Sequence, residues 1–357
     1  MNDNNQAVDQ NLVVKSSTGL TDAVFYNVKA QPFGLYGLYE PYSEGSFTRM
    51  PQSVSSTVNP GVEWGAHFTA GGRVRFSTDS PYIAIKAVIK SVSRFPHMPM
   101  TNSAGFDMYV DKGGDSRYVH TFVPPMDMTD GFESAYNFPE SGTHSVTVNF
   151  PLYGTVDLLY IGIKENTSVF KEADYIPVKP ILYYGSSITQ GGCASRPGTS
   201  YQAIISRKFN IDYINLGFSG AARGEDTMTD YLAGIDASVF VCDYDYNAPD
   251  VDHLEKTHSR LYRRYRAVRP NVPIIFVSNP DYIDNDDNIR RREIIFRTYS
   301  EAYRGGDKDV YFIDGVNLFG TYGHDSCTVD GCHPNDLGFW RMADVIGETI
   351  GNILRKK

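Results

Sequence analysis

Three residues whose types can carry nucleophilic chemistry stand out in this chain. Ser187 lies in Gly185-Ser186-Ser187-Ile188-Thr189-Gln190-Gly191, directly after the apolar run Ile181-Leu182-Tyr183-Tyr184. Far downstream, Asp330-Gly331-Cys332-His333-Pro334 sets a carboxylate three residues before a histidine, so one turn can fix both groups. A serine hydroxyl is a poor nucleophile at neutral pH unless a base takes its proton, and an imidazole is a natural acceptor. A carboxylate on the other ring nitrogen holds the tautomer and stabilises the imidazolium. The chemistry expected is that of a serine hydrolase built on Ser187, His333 and Asp330, with no cofactor and no metal.

Elements must position these groups, and 357 residues exceed what one core usually fills, so two domains are expected. Residues 1–20 are polar. Across 21–165 short segments alternate polar and apolar, punctuated by Gly, Pro, Ser and Asp. Examples are Gly72-Arg73-Val74-Arg75-Phe76, Tyr82–Val88, Gly105–Val110, Ser145–Phe150 and Val156–Ile163. Strands at this spacing, with no helical period, predict an all-β sandwich or jelly roll. A polar, Pro-containing linker covers 166–178. From 179 to 357 the pattern changes to apolar strands alternating with helices. Strands are expected at 181–184, 213–216, 239–242, 273–277 and 310–314, and helices near 200–209, 254–268, 288–303 and 335–354. This alternation predicts a flavodoxin-like three-layer α/β/α domain with its ligand crevice at the carboxyl ends of the strands. Ser187 follows the first of those strands.

Composition narrows the partners. A net charge of -9 argues against a nucleic-acid or anionic-membrane partner and fits a neutral small-molecule substrate better than a polyanionic one. No apolar run reaches the ~18 residues that would span a bilayer, and Met1–Gln6 shows no leader, so a cytoplasmic location is expected. Four cysteines are too few for a disulfide scaffold. Cys327 and Cys332 admit a local disulfide or, less readily, zinc; plain thiols fit better, because no second ligand pair stands at a workable spacing.

With these residues in view, the C-terminal half resembles the SGNH (GDSL-type) hydrolases, whose four separated motifs occur here in order. Gly185-Ser186-Ser187-Ile188-Thr189 is similar to the first, with Ser187 at the nucleophile position. Asn215-Leu216-Gly217-Phe218-Ser219-Gly220 is similar to the second, Asp243-Tyr244-Asp245-Tyr246-Asn247 to the third, and Asp330-Gly331-Cys332-His333 to the fourth. The resemblance implies an oxyanion hole made by the backbone N–H groups of Ser187 and Gly220 and the side-chain amide of Asn247. A glycine at 220 suits close backbone approach to a ligand. Two positions depart from the usual pattern: Ser186 replaces an Asp, and the third motif lacks its Gly and final Asp. The segments Thr69–Phe76 and Gly154-Thr155-Val156-Asp157-Leu158 extend the resemblance to a subgroup with an N-terminal β domain, covering nearly everything after residue 30. It implies a short-chain, most plausibly acetyl, ester of a carbohydrate. An acyltransferase, or a lipid, aryl or thioester hydrolase, is the alternative, and a non-catalytic carbohydrate-binding protein is a third reading.

Other residues admit plainer roles. Arg196, Arg223 and Glu225 follow the first two motifs and are candidate substrate contacts, weighed against surface salt bridges. Asp243 and Asp245 read as satisfied loop carboxylates. His253, His258 and His324 read as structural or exposed. The arginines at 260, 263, 264 and 266 read as a solvated helix face. Phe339 and Trp340 are expected in the core, with lining the acyl pocket as the alternative. Pro334 is expected in the first turn of the last helix, and a homo-oligomer is left open.

Overall fold

The computed structural model describes residues 18–280 and 285–356. Most of the polar N-terminal segment therefore lies outside the described residues. Two antiparallel sheets form the N-terminal part. One runs in the order Ala23–Asn27, Leu158–Lys164, Tyr82–Val88, Gly131–Asn137. The other orders Val169–Phe170, Arg73–Thr78, His144–Asn149, Phe106–Lys112 and Asp115–Phe122, with Gly34–Tyr36 also paired to Arg73–Thr78. Their facing sides, including Val74, Phe76, Met108 and Val148 against Ile83, Ile85, Leu159 and Ile161, make one apolar core. Period-two alternation puts every second side chain there.

The outer face of the second sheet is not solvated. Arg73 and Arg75, at the polar positions of the alternation, are only 2% and 4% exposed. Arg73 is ion-paired to Asp212 and lies over the Tyr213 ring, its guanidinium carbon 3.9 Å from the centroid. Its Nε donates to Tyr175 Oη at 3.0 Å. Alternation cannot distinguish a polar face turned to water from one turned to a partner domain.

The N-terminal part also contains helices that its texture did not predict. Gln52–Val58 and Pro60–Ala66 pack Val62 and Ala66 into the same core as Leu216 and Phe218 of the C-terminal domain. A local signal existed: Asn59 caps the second helix, accepting from Gly61 and Val62 N–H, with Pro60 in its first turn.

The C-terminal domain is a five-stranded parallel sheet in the order Tyr213–Gly217, Ile181–Gly185, Val239–Asp243, Ile274–Val277, Val310–Ile313. This is the doubly wound order whose switch point lies beside the first strand, at Ile181–Gly185. Successive strand residues serve opposite faces, so the strands read as unbroken apolar runs. Tyr183, Val241 and Ile275 meet helices Tyr201–Phe209 and Asp336–Lys356. Tyr184, Phe240 and Phe276 meet Val251–Val268 and Asp286–Arg304. A further helix, Asp226–Gly234, escaped sequence reading because Met228 and Leu232 are nearly its whole apolar stripe. Its acids pair with the arginine-bearing helix: Arg264 reaches Asp230 at 2.5 Å, and Arg260 contacts Asp226.

His258, on that helix, is fully buried between Tyr244 and Phe276, with Nδ1 2.9 Å from Thr298 Oγ1. Burial pushes its pKa down to about 3. The folded ring thus stays neutral where the unfolded ring, near 6.5, takes a proton, so its contribution to stability is lost as pH falls. Asp245 acts in the opposite sense, because burial raises it to about 6. A comparison of wild type with His258→Gln cancels Asp245. Urea denaturation at stepped pH should show the wild-type advantage shrinking from pH ~6.5 downward, by up to ~1.4 kcal/mol per unit. A difference that stays flat with pH would show that His258 is not held neutral.

Candidate active site

Three adjacent strands end side by side at the switch point. Gly185 is in register with Gly217 on one side and Asp243 on the other. The loops carrying Ser187, Gly220 and Asn247 therefore start from one edge of the sheet. Ser187 opens a single helical turn, Ser187–Gln190. Ser186 explains its own departure from the usual motif: its Oγ caps that turn by accepting from Ile188 N–H at 3.2 Å, and its N–H donates to Asp243 O at 3.0 Å.

Gln190 links the turn to the second loop. Its Oε1 accepts from Ser219 N–H at 3.0 Å, and its Nε2 donates to Leu152 O at 3.1 Å. Gly217 lies so close beneath that a Cβ would sit 2.2 Å from Gln190 N. Gly220 is different. A Cβ there meets nothing within 4 Å, but the backbone is left-handed, φ +69°. That backbone conformation gives position 220 a reason of its own to be glycine, beside the close approach to a ligand expected from the sequence.

Asp330 and His333 come from one loop, as their spacing predicts. Asp330 Oδ1 accepts from the N–H groups of His333 at 2.7 Å and Cys332 at 3.0 Å, while Oδ2 is 2.7 Å from His333 Nδ1. Partial burial acts to raise the Asp330 pKa, but the hydrogen bonds from His333 and Cys332 outweigh it and hold the carboxyl below its ordinary value. His333 Nε2 is 2.9 Å from Ser187 Oγ. The geometry thus runs unbroken from carboxylate through imidazole to hydroxyl. Pro334 is not in the last helix. It pairs with Thr328 in an isolated bridge, and Asn335 caps the helix, with Oδ1 accepting from Leu337 and Gly338 N–H.

Asn247 ends a short 3₁₀ turn, and its side-chain Oδ1 is buried without a protein partner. Asp245 supports that turn from below, accepting from Tyr246 and Asn279 N–H, both at 3.0 Å. Asp243 is less completely paired. Oδ2 accepts from Thr189 Oγ1 at 3.2 Å, Oδ1 has no partner, and burial followed by the Asp245 charge pushes its pKa well up.

The three candidate substrate contacts separate. Arg196 turns to the β domain, with Nε 3.3 Å from Asp107 Oδ2 and its guanidinium over Tyr118. Glu225 accepts from Asn59 Nδ2 at 2.6 Å. Arg223 stays exposed on the Gly220 loop, and its carbonyl is 2.8 Å from His253 Nε2. Phe339 is core, stacked on Tyr201, but Trp340 is not: it is 56% exposed and lines an interdomain cleft of about 690 Å³ with Tyr118 and Arg196. An i, i+1 pair on a helix cannot share one face. No disulfide joins the four cysteines.

Sequence reasoning missed what the β domain brings to the site. Asn102 Nδ2 donates to the carbonyls of Gly191 and Ala194, both at 2.9 Å. Thr101 Oγ1 donates to Ser195 O at 2.5 Å, Asp107 Oδ2 accepts from Gly198 N–H at 2.8 Å, and Tyr153 Oη donates to Ser187 O at 3.2 Å. These contacts join residues some 34 to 94 positions apart, where no local period could signal them. The one signal was position: Tyr153 adjoins the Gly154–Leu158 segment of the resemblance.

Comparison with known proteins agrees with this architecture. Residues 178–351 match the GDSL-like lipase/acylhydrolase family, and residues 23–169 match the N-terminus of SGNH-hydrolase-type esterases. The chain belongs to the SGNH (GDSL-type) superfamily and is a carboxylic ester hydrolase of that class. A structure from Bacteroides ovatus assigned as a GDSL-like lipase is 27% identical, with TM-score 0.84 over 93% of this chain and 98% of its own. A salicylyl acyltransferase from a tetracycline biosynthetic pathway shares the fold at TM-score 0.76 and 18% identity, over 94% and 98%. A family two carbohydrate esterase from Clostridium thermocellum, in complex with cellohexaose, shares it at TM-score 0.61 and 17% identity, over 80% and 94%. No curated protein sequence matches the chain. Among the described residues no helix is long and apolar enough to cross a membrane.

Asn102 is buried, and both of its bonds reach the loop that carries Ser187. Asn102→Ala should lower stability in urea by about 2–4 kcal/mol, because two buried carbonyls lose their partner. A loss under about 0.5 kcal/mol would show that the loop does not depend on these bonds.

Proposed function

We propose that the chain hydrolyses a short-chain ester, an acetyl group on a carbohydrate, through an acyl-enzyme on Ser187. The observation that carries this reading is the continuous relay from Asp330 through His333 to Ser187, with spacings of 2.7 and 2.9 Å. Ser187 Oγ attacks the ester carbonyl as His333 Nε2 takes its proton. Asp330 keeps Nδ1 protonated and stabilises the imidazolium. The Ser187 and Gly220 N–H groups and the Asn247 amide serve the oxyanion. Asn247 serves through its Nδ2–H donors, since its amide oxygen can only accept. His333 then returns the proton to the leaving alcohol, and water repeats the sequence in reverse to free the acid. Ser187 is only 8% exposed, which favours a small acyl group. The carbohydrate side rests on similarity to the cellohexaose-bound esterase. The fold shared with the salicylyl acyltransferase supports a second reading, acyl transfer to an acceptor alcohol other than water.

The test is relative kcat/KM on acetylated oligosaccharides, p-nitrophenyl acetate and longer-chain esters, with and without added alcohols. Acetyl esters should be preferred, with water the main acceptor. Preference for long chains would remove the acetyl assignment, and dominant transfer to alcohol would favour the second reading. Ser187→Ala should lower kcat by at least about 10⁴, and Asp330→Asn by roughly as much. Asn247→Ala should cost about 10²–10³ in kcat with little change in KM. Full activity in Ser187→Ala would refute the nucleophile.

A further inference from the structure

At the relay, three segments meet, and two of them bring side chains that the ester chemistry leaves unused to the imidazole that it uses. His97 comes from the β domain, Cys193 from the loop after the nucleophile, and His333 from the last loop. One ligand-capable atom from each lies within 4.8 Å of the other two. The His97 and His333 rings are 5.7 Å apart, centroid to centroid. We propose that His97, Cys193 and His333 form an inhibitory site for a thiophilic divalent cation, Zn²⁺ being the type ion, which acts by withdrawing His333 Nε2 from Ser187.

The ligand types fit this class of ion. Two imidazoles and a thiolate suit Zn²⁺, which commonly takes three protein ligands and a water. Tetrahedral ligands stand about 3.3–3.8 Å apart at bond lengths of about 2.0–2.3 Å, so no pair needs to close by more than about 1.5 Å. His97 is exposed, and its side opens the site to solvent. Asp330 occupies His333 Nδ1, which leaves Nε2 to bind metal. The same carboxylate–imidazole pair that orients a general base also orients and strengthens a metal-bound histidine. Cys193 holds a left-handed backbone, φ +70°, an uncommon conformation for a residue with a Cβ. A non-glycine outlier beside a site is a marker of function. On binding, the Cys193 S–H bond breaks, the proton passes to solvent and the sulfur–metal bond forms; no electron is transferred. Hydroxyl attack stops because the base is occupied.

The inhibitory effect rests on the serine relay proposed above, whereas the binding itself does not, and the two are read separately. Ester hydrolysis by the full chain should fall at least about tenfold at micromolar Zn²⁺, recover on chelation and ignore Mg²⁺ and Ca²⁺, which prefer oxygen ligands. His97→Ala and Cys193→Ser, each normalised to its own metal-free rate, should shift the inhibition midpoint upward by about tenfold or more. Without any substrate, Co²⁺ should give a thiolate-to-metal charge-transfer band with wild type and with Ser187→Ala, and none with Cys193→Ser. Insensitivity to Zn²⁺ in an active enzyme, identical midpoints in wild type and His97→Ala, or no such band in wild type would each overturn the site. His97 is exposed, so its variant keeps the test valid should Cys193→Ser fail to fold.

Discussion

A nucleophile on a loop has to be held still by bonds the loop cannot make to itself. Between Gly185 and Gly198 the backbone leaves the sheet, makes one helical turn and runs on irregularly. Its buried carbonyls and N–H groups must find partners elsewhere. Five of those bonds come from the β domain: Asn102 for Gly191 and Ala194, Thr101 for Ser195, Asp107 for Gly198, and Tyr153 for Ser187 itself. The α/β domain adds others, with Gln202 and Asn215 donating to Thr189 O and Asp336 accepting from Ser195 N–H. Arg49 does the same for the neighbouring strand, donating to Gly217 O at 2.6 Å and Asn215 O at 3.2 Å. The sheet decides where the loops begin, and the β domain decides where they stop.

Carboxylates near the site show how hydrogen-bond supply sorts function. Asp330 receives three donors in a partly open loop and is held below its ordinary pKa. Asp243 is fully buried with one donor to its side chain and is pushed well up. Asp245, equally buried but with two backbone donors, rises only to about 6. Burial acts to raise all three, and the donors, with the Asp245 charge beside Asp243 and the Arg291 charge beside Asp245, decide where each ends. The charge that a protonated His333 needs beside it is therefore available at Asp330.

Much of this was legible in the sequence. Unbroken apolar runs marked the five parallel strands, because a strand buried on both faces has no alternation to misread. The short Asp330–His333 spacing identified a relay because both ends lie within one turn. What was hidden depended on the other domain. The helices at 52–66 bury their apolar side against Leu216 and Phe218, so they carry no pattern of their own core. The polar positions of Arg73–Thr78 face protein, and Arg196 and Glu225, placed correctly in the motif loops, are engaged across the same boundary. Local spacing reports on neighbours in sequence, and these contacts are not neighbours in sequence.

The buried arginines of the second sheet carry a consequence for how such chains diversify. With Arg73 ion-paired across the boundary and Arg49 spent on strand carbonyls, the β domain is not a detachable sugar-binding appendage. Grafting another sandwich onto this hydrolase would strip the Ser187 loop of its interdomain bonds unless Thr101, Asn102, Asp107 and Tyr153 came with it. The outer strands of the sandwich are free to drift, while its inner seam must be inherited together with the Ser187 loop.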